Sequence, residues 1–78
     1  MASKSYENLI YIVTFESSNE DETAIAAFAS WMDAENFIDR KVSEEKCFEC
    51  TRSEGFADCY LRPDCLDDRN TYRIRKPL

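Results

Sequence analysis

Cysteines stand at positions 47, 50, 59 and 65 in the pattern Cys47-x2-Cys50-x8-Cys59-x5-Cys65, the spacing in this 78-residue chain that points most directly to chemistry. Four thiolates suit tetrahedral zinc, and a first pair two residues apart lets one turn aim both sulfurs at a single ion. The Cys59-x5-Cys65 spacing is looser, and no Gly follows either pair. Four readings stand side by side. Zinc held by Cys47, Cys50, Cys59 and Cys65 would add directly to the stability of a domain with a small core. Free thiols serving as small apolar side chains are placed slightly ahead of it, with no cofactor required. Disulfides suit an oxidising compartment. A redox Cys47-Phe48-Glu49-Cys50 pair is disfavoured, because it would sit at a helix C-terminus beside Glu44, Glu45 and Glu49, where negative charge opposes a thiolate.

Histidine is absent. That removes Ser-His-Asp and Cys-His nucleophilic catalysis and His-ligated metals from the credible chemistries. Carboxylates are plentiful, yet none is placed by sequence beside a second acid in an apolar setting. The Asp64-x2-Asp67-Asp68 group lacks the alternating oxygen ligands and the Gly of a calcium loop, and there is no Gly-rich phosphate loop. The expectation is a protein that is not an enzyme.

Charge gives a different lead. The net charge is −6, from sixteen acids and ten bases. Residues 1–39 hold one base, Lys4, against eight acids, a balance of −7, while residues 40–78 come to +1. Glu16, Glu20, Asp21, Glu22, Asp33, Glu35 and Asp39 are therefore the candidate contacts for a protein partner with a basic surface, most naturally one that handles nucleic acid. The bland counterpart is a solvated acidic surface that pairs internally with the basic tail, Arg69, Arg73, Arg75 and Lys76. Direct nucleic-acid binding through that tail, in a zinc-stabilised module, is the alternative function; the global charge opposes it. The longest apolar run, Leu9 to Val13, is too short to span a membrane, and no extended apolar segment follows Met1, so a cytoplasmic protein is expected.

These side chains need a frame. Asn8 to Glu16 (NLIYIVTFE) reads as a central strand buried on both faces, Leu9, Tyr11, Val13 and Phe15 on one side and Ile10 and Ile12 on the other. Ser17 to Glu22 reads as a polar turn. Thr23 to Ala29 fits a strand by period two, or the start of a long helix capped by Asn19; the strand is preferred because Ser30 offers its own helix start, Ser30-x-x-Asp33 being a capping-box variant. Trp31, Ala34, Ile38 and Val42, widened by Phe37, then predict an amphipathic helix from Trp31 to about Lys46. Cys47 to Asn70 reads as an irregular cysteine-bearing loop, with Phe48, Phe56 and Tyr60 as a candidate contact patch. Thr71 to Arg75 (TYRIR) alternates as a short, half-exposed strand. The predicted class is α+β: one domain over residues 1–78, a small antiparallel sheet in the chain order β-β-α-loop-β, with the single helix packed across one face.

The stretch Tyr11 to Lys41, with YIVTF, an acidic turn, a strand ending Phe28-Ala29-Ser30 and a helix carrying Asp33-Ala34-Glu35-Asn36-Phe37-Ile38, resembles small phage-encoded accessory proteins of the anti-CRISPR and host-takeover type. The likeness is one of size, acidity and strand-strand-helix order, and the cysteine segment departs from it. What the resemblance implies is a stoichiometric inhibitor that binds a host or defence protein in the host cytoplasm.

Overall fold

The computed structural model describes residues 10–76. The β-branched and aromatic run forms β1, Tyr11–Ser17, and Ser18-Asn19 turns the chain into β2, Glu20–Phe28. Glu20, Asp21 and Glu22, expected in the turn, are thus strand residues. Helix α1, Trp31–Glu45, begins where predicted: the Ser30 side chain accepts from the backbone N–H of Asp33 at 3.3 Å, satisfying a donor that the first turn leaves free. Lys46 ends it in the left-handed conformation, φ 55°. Three further strands follow, β3 (Glu49–Ser53), β4 (Phe56–Tyr60) and β5 (Arg69–Arg75). They form one sheet in the order β2-β1-β5-β4-β3, with every neighbouring pair antiparallel. Helix α1 carries the chain from one edge strand, β2, to the other, β3.

The α+β class and the helix across one face are as the sequence predicts, but the sheet has five strands, because the segment read as irregular, residues 47–70, contains the β3–β4 hairpin. Glu54-Gly55 is its two-residue turn between the paired residues Ser53 and Phe56. Gly55 has φ +71°, and a Cβ there would stand 2.9 Å from the Trp31 ring, so position and packing both require Gly. The irregular remainder is residues 61–68.

The register sorts the side chains into two faces. Val13, Ala57, Cys59 and Tyr72 point toward Ala34 and Ile38 of α1 and form the buried core, ringed by Tyr11, Phe15, Phe28, Phe37 and Ile74. Helix α1 covers β1 on one face only: Ile12, Thr14 and Glu16 project from the opposite face, which carries no helix among the described residues, yet Thr14 is buried there and Ile12 and Glu16 are half-buried. Leu9 lies outside the described residues. No described helix is long and apolar enough to cross a membrane.

Candidate binding surface

Alternation along β5 puts Arg69, Thr71, Arg73 and Arg75 on the face away from α1. Register then sets Glu16 and Thr14 of β1 on one side of them and Phe56, Asp58 and Tyr60 of β4 on the other. The result is a band of paired charges. Arg73 meets Glu16 at 2.8 Å, and Arg75 grips Glu22 through two hydrogen bonds of 2.8 and 2.9 Å. Thr14 donates its hydroxyl to the same Glu22 carboxylate at 2.5 Å. Asp58, nearly buried, accepts from the hydroxyls of Thr71 (2.8 Å) and Tyr60 (3.3 Å) and lies 3.6 Å from Arg69. Arg73 also lies over the Phe56 ring and Arg69 over the Tyr60 ring. Between these groups runs a polar groove of about 640 Å³ that reaches Asp67. Its chemistry is ion pairing and hydrogen bonding, and the arginines that the tail offered to phosphate are occupied by acids of the same chain.

The seven acidic candidates separate into three groups. Glu16 and Glu22 belong to the charge band just described. Glu35 and Asp39 belong to a staple on the helix side, where Arg52 of β3 bonds the Glu35 carboxylate at 2.5 Å and Asp39 at 2.9 Å. The same guanidinium donates to the Phe56 carbonyl at 3.0 Å, while the other Glu35 oxygen accepts the Gly55 N–H at 3.0 Å. Partial burial of Arg52 disfavours its charge, but the bonds from Glu35 and Asp39 outweigh that and hold its pKa above the ordinary value. Glu20, Asp21 and Asp33 enter no ion pair among the described residues, and all three are exposed. Glu20 and Asp21 open the nine-residue edge strand β2, whose outer side pairs with no other described strand; Ile25, further along it, is 42 % exposed.

The cysteines divide as well. Cys50 and Cys59 are direct partners across β3 and β4, with sulfurs 3.9 Å apart, and Cys47 approaches Cys59 from the end of α1. Burial, followed by the nearby Cys50 and Cys47, pushes the Cys59 thiol far above its ordinary pKa. Cys65 sits in the 61–68 connection, where its carbonyl accepts from the Asp68 N–H. Among the described residues no group of three or more Cys, Asp or Glu is arranged to hold a metal ion.

Sequence reasoning missed Phe56, Asp58 and Tyr60 as members of the charge band. The signal that could have found them is the pair of five-residue runs flanking Glu54-Gly55, with Cys50 and Cys59 at facing positions. Of the apolar loop residues singled out by sequence, Phe48 is 60 % exposed and Phe56 lines the groove. Comparison with protein-family models, with curated proteins and with solved structures finds no match to this chain.

Proposed function

We propose that this chain is a non-enzymatic binding protein, a stoichiometric inhibitor of the phage accessory kind, that engages a basic surface on a nucleic-acid-handling protein through the acidic end of β2. The supporting observation is the placement of Glu20 and Asp21: exposed, outside every described ion pair, and at the start of a long edge strand whose outer side pairs with no other described strand. An edge of that kind presents unpaired N–H and C=O groups that a strand of a partner can take up, and the two carboxylates select for Lys and Arg on it. Glu16, Glu22, Glu35 and Asp39 support the reading differently, since their internal pairing leaves Glu20 and Asp21 as the one adjacent pair of acids outside an ion pair among the described residues of the N-terminal half.

The test is reversal of the two free acids alone. Glu22 is left in place because reversing it would oppose Arg75 and disturb the fold. Glu20→Lys with Asp21→Lys, measured against a partner captured from bacterial lysate, is expected to weaken the complex on the order of tenfold, as two exposed charge pairs at up to about 1 kcal/mol each would give. The salt dependence should fall with it. Unchanged affinity would place the contact elsewhere.

A further inference from the structure

The Cys50 and Cys59 pair has a role that neither the fold nor the binding reading uses. Leu61 N–H donates to Asp68 and Ile74 N–H to Gly55, so odd-numbered residues of the β4 region turn their backbone groups toward β5. Cys59 therefore faces Cys50 as a non-hydrogen-bonded pair of β3 and β4, the close kind, with Cα atoms about 4.5 Å apart. That separation lies inside the range a disulfide spans, and the sulfurs need only close from 3.9 Å to the covalent ~2.05 Å. Access differs between the two. Cys59 is 0 % exposed, whereas Cys50 lies on an edge strand and is half-buried.

We propose that Cys50 and Cys59 form a thiol–disulfide exchange site, in which Cys50 takes up a low-molecular-weight disulfide and Cys59 resolves it into a bond between β3 and β4. In the first step Cys50 gives its proton to solvent and its sulfur attacks one sulfur of the small disulfide; that S–S bond breaks and one small thiolate leaves. In the second, Cys59 gives up its proton and attacks Cys50 Sγ, and the mixed bond breaks to release the second thiolate. The two protein thiols lose two electrons, the oxidant gains them, and the two protons end on the two released thiols. The bond pins β3, whose only neighbour among the described strands is β4, to the rest of the sheet.

Oxidised glutathione added to the folded full chain tests this by intact mass and by mapping of acid-quenched fragments. The expected product has lost two hydrogens and carries a Cys50–Cys59 link, and Cys59→Ser should instead accumulate one glutathionyl group on Cys50. A link at Cys47 or Cys65, or an adduct of Cys59→Ser at either of those, would overturn the assignment. So would absence of any link under an excess of oxidant that does oxidise the urea-unfolded chain. If Cys59→Ser does not fold, the double variant Cys47→Ser/Cys65→Ser, which keeps the pair, decides: it must form the bond at the unmodified protein's rate, and failure to do so overturns the proposal.

Discussion

On the face away from α1, Glu22 is held by two residues, Arg75 and Thr14. The Arg75 guanidinium, then the Thr14 hydroxyl, bring its carboxyl to about 2, well below the ordinary 4.5. A pKa lower in the folded chain than in the unfolded one means that the ionised form stabilises the fold: the contribution is complete above about 4.5 and is lost as pH falls toward 2. Glu22→Gln should therefore lower the urea midpoint near neutrality and converge on the unmodified protein near the bottom of that window. A gap that stays constant on acidification would contradict the ion pair. Gly55 makes a second, pH-independent case. An added methyl group meets the Trp31 ring and a backbone at φ +71°, so Gly55→Ala should cost about 2 kcal/mol in denaturant unfolding. A neutral result would mean that the hairpin turn can rearrange.

Helix α1 shows what local sequence can specify. Its start is written in Ser30 and its buried stripe in Ala34 and Ile38, both predicted and both fully covered. Its end is less well made, because Lys46 occupies a left-handed position usually filled by Gly. Lys46→Gly should then raise stability by about 1 kcal/mol, read from the shift in urea midpoint, and a loss would show that the Lys46 side chain contributes more than its backbone strain removes. The β3–β4 hairpin was illegible for a physical reason. Strands are recognised by aliphatic alternation, but the covered side of this hairpin carries Cys50, Arg52, Ala57 and Cys59, and the other side carries Asp58. Small, charged and sulfur-bearing residues give no period-two signal. Arg52 is tolerated toward the helix because Glu35 and Asp39 wait there, a pairing no window of neighbouring residues contains.

For the molecule as a whole, the separation of charge along the chain is partly undone in space. The −7 of the first half meets the basic tail across the middle of the sheet, Glu16 with Arg73 and Glu22 with Arg75. A sum over sequence counts those carboxylates as available; the structure shows that they are taken, and that Glu20, Asp21 and Asp33 remain outside the ion pairs of the described residues. The register has a consequence for how the molecule is made. The first and last strands, β1 and β5, lie side by side at the middle of the sheet, with Ile12 opposite Arg75. During vectorial synthesis the β1–β2 and β3–β4 hairpins can each close as they leave the ribosome, but they share no strand border until β5 emerges between them. Closure of the sheet thus waits on the making of β5, and a chain cut short before Arg69 would lack the strand at the middle of the sheet, not one at its edge.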